Sequence, residues 1–348
     1  MLFSSKKVVG IDLGSSSIKL AQVSKSKSGA TLDHFAIIQT PAQSINNGDI
    51  LDPFQVGEAL KINHKNLKFT SKNACIGMWG ATSIVKKIKI PRVEPKALKE
   101  QIKYEAQQYL PFDISQVAID YHVLPFASTA EQLDVLIVAG QIELMTKYIE
   151  VVSYGNLKIS IIDVNSLALA NSFEFNYGKI NEPIGLFNFG STTTQFVVVF
   201  QGEVLFARDI PVGGTQLTYE ISNSLSMTME EAESLKLSSL KGGAVPENMK
   251  SAVTTAISQI IDEIKNSLDF YSASGGDFQL SRAFYTGGSS QTEGLIEALS
   301  QEIKMNFEAI NPFLKVKAHK KYTPEYLNQI APFISVSLGL GLREVGDS

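Results

Sequence analysis

The sequence predicts an α/β protein of two lobes, with a small α+β unit inserted into the first. A strand–glycine–hydroxyl pattern occurs twice, half a chain apart: Val9–Leu20 reads VGIDLGSSSIKL and Gly185–Phe196 reads GLFNFGSTTTQF. Such internal similarity points to a duplicated architecture. A third glycine turn, Thr286-Gly287-Gly288-Ser289, follows another apolar strand and precedes a helix. Between residues 80 and 160 the order strand, helix, strand, strand, helix, strand marks the inserted unit.

The elements follow in order. Val8–Leu13, Ile18–Ser24 and Leu32–Gln39 read as a meander with Gly and Ser at its turns. A helix at Pro53–Ile62 and strands Ala74–Trp79 and Ser83–Ile90 come next. Pro95 starts a helix through Tyr109, with Leu98, Ile102, Ala106 and Tyr109 on one face. Strands Val117–Leu124 and Leu133–Ala139, helix Ile142–Tyr154 and strand Leu157–Val164 complete the unit. The pattern restarts with a helix at Ser166–Phe175 and strands Ile184–Phe189, Thr194–Phe200 and Glu203–Asp209. Helices at Thr215–Leu225 and Met229–Leu237, a Lys241–Pro246 loop and a long helix at Asn248–Tyr271 follow. The long helix carries an apolar stripe of Val253, Ile257, Ile260, Ile261, Ile264 and Leu268. Strand Arg282–Thr286, a helix after Gly288 and a helix at Pro332–Leu342 close the chain. The expected division is residues 1–80 for the first lobe, 81–160 for the insertion and 161–183 for a connecting helix region. Residues 184–331 form the second lobe, and 332–348 a helix returning to the first.

Bulk composition sets limits on function. The 348 residues carry 31 Lys and Arg against 35 Asp and Glu, a net charge of −4. That balance lacks the basic footprint of a general nucleic-acid binder. Cys75 is the single cysteine, so no internal disulfide forms, in keeping with a reducing compartment. His34, His64, His122 and His319 show no metal-ligand spacing. Asp12 interrupts the first apolar run, which argues against a signal peptide. The longest uncharged stretch, between Glu182 and Glu203, is too polar to span a membrane. No Gly-x-Ser-x-Gly elbow is present, and Cys75 reads as a core thiol.

The repeated hairpins suit phosphates. Glycine at a tight corner lets backbone N–H groups approach phosphate oxygens, and the flanking hydroxyls add donors. Lys19 brings a positive charge, and Asp12 at the end of the first strand is placed to hold Mg²⁺ through water. Two such hairpins facing each other would clamp a triphosphate.

With these motifs the sequence resembles the actin-like ATPases, and within them the PilM family of type IV pilus assembly proteins, related to FtsA. The resemblance spans nearly the whole chain. Residues 8–20 are similar to the first phosphate motif, 184–199 to the second, and FYTGGSSQTEGL at 284–295 to the adenosine motif. The segment Pro211–Lys236 resembles the one whose Glu-x-x-Lys reaches the nucleoside. EIKNSLDFY (Glu263–Tyr271) and YEAQQYLPFDISQVAIDYHVL (Tyr104–Leu124) resemble PilM more than actins generally. The resemblance implies an actin-like fold of duplicated ribonuclease-H-like domains that binds ATP and Mg²⁺. It implies that Asp12 organises the metal while Gly14, Ser15, Ser16, Ser17 and Lys19 contact phosphates from one lobe. Gly190, Ser191, Thr192 and Thr193 contact them from the other, with Gly213, Gly214, Glu233 and Lys236 toward the nucleoside. Gly287, Gly288 and Ser289 bracket the adenine.

Two positions depart from the family pattern: Asn188 and Asn165 stand where carboxylates are expected. An amide can hydrogen-bond a water but adds no negative charge for a metal and takes no proton. ATP binding with weak or absent hydrolysis is therefore expected. The resemblance also implies a partner, the cytoplasmic tail of a PilN-like inner-membrane protein, with other inner-membrane pilus components beyond it. The protein would then sit in the cytoplasm, held to the inner membrane through that partner. Tyr104, Tyr109, Pro111, Phe112 and Tyr121 concentrate aromatic surface in the insertion and read either as a peptide groove or as ordinary core. Lys86, Lys87, Lys89, Arg92, Lys96, Lys99 and Lys103 read either as a basic docking patch or as a solvated face. A small-molecule kinase would need a cleft carboxylate to deprotonate its acceptor. An FtsA-like filament protein would be expected to carry an amphipathic membrane tail, and the final residues Gly341–Ser348 do not read as one.

Overall fold

The computed structural model describes residues 6–27, 29–125, 128–240, 247–274 and 279–347. The loop expected at Lys241–Pro246 lies outside them. Three antiparallel strands open the chain: β1 (Val9–Leu13), β2 (Ser17–Ser26) and β3 (Gly29–Gln39). A short hairpin, β4 (Ile45–Asn46) and β5 (Asp49–Ile50), leads into α1 (Pro53–Asn66). Asp52 caps that helix by accepting from Gln55 N at 2.9 Å, and Pro53 occupies the first turn, where its missing N–H costs nothing. Strand β6 (Asn73–Met78) then pairs in parallel with β1.

The insertion is a three-stranded antiparallel sheet of β7 (Ser83–Pro91), β8 (Val117–Leu124) and β9 (Gln132–Gln141), in the order β7-β9-β8. Helix α2 (Leu98–Ala106) covers one face, with Ile102 and Ala106 buried against Ile88, Ile90 and Val135. This helix is shorter than the Pro95–Tyr109 expected from its periodicity. At its end Gln108 N and Tyr109 N bond three residues back, to Glu105 and Ala106, so the chain tightens into turns.

Helix α3 (Ile142–Tyr154) and strand β10 (Lys158–Val164) leave the insertion and rejoin the first lobe. β10 pairs in parallel with β6, and Tyr148, Val151 and Val152 are buried with Val56 and Leu60 of α1. The expected boundary at residue 160 is therefore too late: sequence order placed α3 beside the strands, whereas its apolar stripe matches α1. Helix α4 (Asn165–Tyr177) then crosses to the second lobe.

The second lobe repeats the first. β11 (Ile184–Phe189), β12 (Thr194–Phe200) and β13 (Glu203–Ile210) form an antiparallel meander, followed by α5 (Gly214–Leu225), α6 (Met229–Leu240) and α7 (Lys250–Ala273). β14 (Arg282–Thr286) pairs in parallel with β11, as β6 does with β1. Helix α8 (Leu295–Ile303) and β15 (Asn306–Ala309) complete a sheet ordered β13-β12-β11-β14-β15. Phe187 and Phe196 stack in its core at 4.6 Å between ring centroids. Burying each ring contributes about 2 kcal/mol.

β16 (Val316–Ala318) returns to the first sheet beside β3, giving the order β10-β6-β1-β2-β3-β16. At three residues it is too short for a periodicity to reveal. Helix α9 runs Pro324–Gly341, starting eight residues before the Pro332 expected to open it. Thr323 Oγ1 accepts from Tyr326 N at 3.2 Å and Pro324 holds the first turn, so Pro332 lies inside the helix. None of the described helices is long and apolar enough to cross a membrane.

α9 binds the halves together at van der Waals limits. A Cβ added at Gly339 would lie 1.8 Å from Ala168 O of α4, and one at Gly10 of β1 2.3 Å from Gly341 N of α9. Backbone atoms cannot swing away as a flexible side chain can, so the whole helix would have to shift. Gly339→Ala is expected to destabilise the fold by about 3 kcal/mol through overpacking. Urea unfolding of parent and variant reads this directly, and equal midpoints would refute the packing.

Candidate functional site

The β1–β2 and β11–β12 corners face each other between the lobes. Each is as tight as a glycine corner allows: a Cβ at Gly14 would sit 2.7 Å from Ser17 O, and one at Gly190 2.6 Å from Thr193 O. Ser15 Oγ lies 2.9 Å from Ser191 Oγ and 2.8 Å from Thr192 Oγ1, so hydroxyls of the two repeats meet directly.

Beneath them is a cavity of about 420 Å³. It brings together Asp12, Gly14, Ser15, Ser16, Ser17 and Lys19 from the first lobe with Gly190, Ser191, Thr192 and Thr193 from the second. Gly214, Glu233, Lys236, Gly287, Gly288 and Ser289 also line it, as do Asn165 and Asn188. Gly213 stands one residue outside, as the N-cap of α5, with no room for a Cβ against the Gly190 and Ser191 carbonyls.

Lys19 Nζ lies 3.5 Å from Asp12 Oδ2, and Asn165 Nδ2 donates to Asp12 Oδ1 at 3.1 Å. Asn165 Oδ1 is buried without a hydrogen-bond partner among the described residues. A buried amide oxygen left unpaired costs on the order of 1–3 kcal/mol, and such a deficit beside a carboxylate suits a site completed by a ligand or its water. Asn188 Nδ2 donates to Gln195 Oε1 at 2.9 Å.

On the second lobe Lys236 is buried between α5 and α6. Its Nζ reaches Glu233 Oε2 at 2.6 Å, Thr218 Oγ1 at 2.8 Å and Gly214 O at 3.1 Å. The Glu-x-x-Lys pair thus shapes the wall as well as facing the cavity. Ser289 Oγ donates to Gly190 O at 2.7 Å, so its hydroxyl fastens the third glycine turn to the second hairpin.

Several lining residues escaped the sequence reading: Trp79, Pro332 and Phe333 among them. Trp79 Nε1 donates to Leu13 O at 2.6 Å, directly behind the first hairpin. Pro332 O accepts from Gly287 N at 2.7 Å and from Thr286 Oγ1 at 3.1 Å, which seats α9 on the third glycine turn. No local motif signals these residues, since each arrives on an element distant in sequence. Gln195 was visible as the polar end of the second repeat.

The aromatic cluster of the insertion divides. Tyr104 and Tyr109 are exposed, with Lys86 Nζ 5.2 Å from the Tyr109 ring centroid, and Pro111 is exposed beside them. Phe112 and Tyr121 pack against the insertion's own core. The basic run is partly internal as well: Lys87 Nζ pairs with the buried Asp134 at 2.8 Å.

Two sheets of matching topology, with glycine–hydroxyl corners opposed across a cleft, define an actin-like ATPase fold. The family model for type IV pilus assembly protein PilM matches residues 10–345, and the chain belongs to that family. Among solved structures, the PilM–PilN type IV pilus biogenesis complex aligns with a TM-score of 0.86 at 22% identity, covering 97% of this chain and 98% of its counterpart. The ethanolamine utilization protein EutJ from Carboxydothermus hydrogenoformans aligns at 0.58 with 15% identity, over 97% and 89% of the two chains. MreB5 of Spiroplasma citri bound to AMPPNP aligns at 0.50 with 12% identity, over 89% and 92%.

Replacing Lys236 by Met should expose how much of the wall it holds. The variant leaves Glu233 and the Gly214 carbonyl without their cation. Glu233 is partly solvated, so the loss is about 2 kcal/mol rather than the larger cost of a fully buried pair. Urea denaturation should show that drop, and an unchanged midpoint would mean the α5–α6 wall stands without Lys236.

Proposed function

We propose that this chain is a nucleotide-dependent scaffold of a type IV pilus assembly machine, holding ATP in the cleft and gripping the cytoplasmic tail of a PilN-like inner-membrane protein. The observation carrying this reading is the convergence of both glycine–hydroxyl hairpins on one cavity, with Lys19 and Lys236 on its two sides. Gly14 to Ser17 and Gly190 to Thr193 would receive the phosphates, and Asp12 would hold Mg²⁺ through water. When bound, the metal offsets phosphate charge. Glu233, Lys236 and the Gly287–Ser289 turn would enclose the nucleoside.

Slow or absent hydrolysis follows from the side chains at the phosphate end. Asn165 and Asn188 are neutral and accept no proton from an attacking water. Among the described residues lining the cavity the carboxylates are Asp12 and Glu233, and both are engaged by lysines. A kinase would need a carboxylate free to take the acceptor's proton, so the scaffold is the better reading. Membership of the PilM family and the fold shared with the PilM–PilN complex support the pilus role.

Trp79 is the chain's single tryptophan and lines the cavity, so its emission reports occupancy. Titration of the parent with ATP and Mg²⁺ should give a saturable change that Asp12→Ala weakens or abolishes. A flat titration supported by null calorimetry would remove the nucleotide reading. Phosphate release should be far below an ordinary turnover on the order of 10 s⁻¹ and should rise in Asn188→Asp. Turnover near that ordinary value in the parent would make it a working ATPase.

The tail is expected to meet the exposed aromatics of the insertion. Tyr104→Ala and Tyr109→Ala should each weaken a PilN-like tail peptide by about tenfold, in the range of an aromatic interface anchor. The insertion's melting should be unaffected. Phe112→Ala should instead loosen the insertion itself, because that ring packs inward. Unchanged peptide affinity in both tyrosine variants would move the docking surface elsewhere.

A further inference from the structure

Behind the cavity a line of hydrogen bonds joins the two hairpins by way of Asp209 on the neighbouring strand β13. It starts at Asn188, whose amide donates to Gln195. Gln195 is buried, and with its oxygen accepting from Asn188 its NH₂ is turned to donate to the Asp209 carboxylate of β13. Gly80 N, on the other lobe, also donates to Asp209 Oδ2. Gly80 follows Trp79, whose indole donates to Leu13 O just ahead of the first hairpin. Three residues after Gly80, Ser83 begins β7, the first strand of the insertion.

Asp209 therefore sits where three parts meet. It stands at the end of the second lobe's meander, binds the turn that closes the first lobe's β6, and lies beside the root of the insertion, where β13 packs on β7. A second cavity of about 370 Å³ opens at this junction, lined by Asn47, Gly80, Ser83, Val164, Arg208 and Asp209. Burial pushes the Asp209 carboxyl above the usual carboxylate range, and the bonds from Gly80 and Gln195 oppose that shift. A half-buried carboxylate held by two donors from different lobes costs free energy if either donor leaves.

We propose that Asp209 is a positioning residue coupling occupancy of the cleft to the seat of the insertion, through Gln195 on one side and Gly80 on the other. The relay rests on the reading of the cleft as a nucleotide site. A ligand that draws on Asn188 changes what Gln195 can offer Asp209. Asp209 then holds the Gly80 turn more or less firmly, and β7 starts from that turn. A ligand shifts such an equilibrium only by its differential affinity for the two arrangements, and Asn188 is where that difference would arise.

Hydrogen exchange at residues 80–90, with and without ATP and Mg²⁺, tests the relay in the full chain, with calorimetry reporting affinity separately. In the parent, ATP should slow exchange there by about tenfold, an ordinary coupling strength. Asp209→Ala should bind ATP within about threefold of the parent yet show a response below about twofold, a loss of most of that coupling. Asp209→Asn keeps an oxygen for Gly80 N but turns an NH₂ toward Gln195, so its response should fall between the two. It also serves as the reading if the alanine variant fails to fold. A purely structural role would speed exchange in both variants without ligand while leaving the ATP-induced ratio at the parent value, and that result overturns the relay. ATP binding by the parent without any response at residues 80–90 overturns it too, while the nucleotide reading stands. No binding by the parent removes both.

Discussion

Helix α9 lies so close to β1 and α4 that nothing larger than hydrogen fits at the contacts, and the geometry of the cleft depends on that closeness. Gly10, Gly339 and Gly341 let backbone meet backbone where the helix enters the first lobe. About two turns before Gly339, Pro332 O takes two hydrogen bonds from the Thr286–Gly287 turn of the second lobe. One rigid element thus touches both halves, and α4 packs along it. A proline inside a helix usually costs stability. Here the carbonyl of the same residue accepts from the third glycine turn, which gives Pro332 a place in the cleft floor.

Away from that floor, the two hairpins meet at the mouth of the cleft. Ser15 touches Ser191 and Thr192 there through hydroxyls alone. Hydroxyl–hydroxyl bonds contribute about 1 kcal/mol each, and the phosphate oxygens of the proposed nucleotide would replace them as acceptors. The charged groups stand further back: Lys19 is held by Asp12 and Lys236 by Glu233. The cleft therefore keeps its cations paired and its contact surfaces neutral. On the proposed nucleotide reading that arrangement would suit reversible occupancy better than proton transfer, because both carboxylates among the described lining residues are engaged by lysines.

The fold was readable because duplication is a property of sequence. The strand–Gly–hydroxyl repeats fixed the facing hairpins, and β8, α3, β11, β12 and β14 run between the residues that alternation and periodicity indicated. What escaped notice depends on tertiary structure. β16 has three residues and owes its existence to the open edge of β3. α3 carries an apolar stripe that would serve either neighbour, and only the match with Val56 and Leu60 assigns it to the first lobe. The start of α9 was hidden by a second proline, since a proline at a first turn and one inside a helix look alike in one dimension. In the cleft the motif residues were legible, whereas Trp79 and Phe333 were not, because their sequence neighbours carry no phosphate chemistry.

The position of the insertion bears on what such a cleft is for. β7 leaves the first lobe three residues after the Gly80–Asp209 contact and returns through β9 directly into α3. Both connections are short, so the insertion cannot drift independently of the first lobe. Beyond the root it meets the second lobe where His122 Nε2 lies 2.8 Å from Glu203 Oε2. A side-chain pair that exposed contributes little to stability. The root contact is different: Asp209 is half-buried, accepts from both lobes and connects by bonded neighbours to the cavity. If the exposed aromatics of the insertion take a membrane protein's tail, the strength of that grip is set where the insertion is held most firmly. That place is the Gly80 turn, and it lies within four residues of both the cavity wall at Trp79 and the first residue of β7.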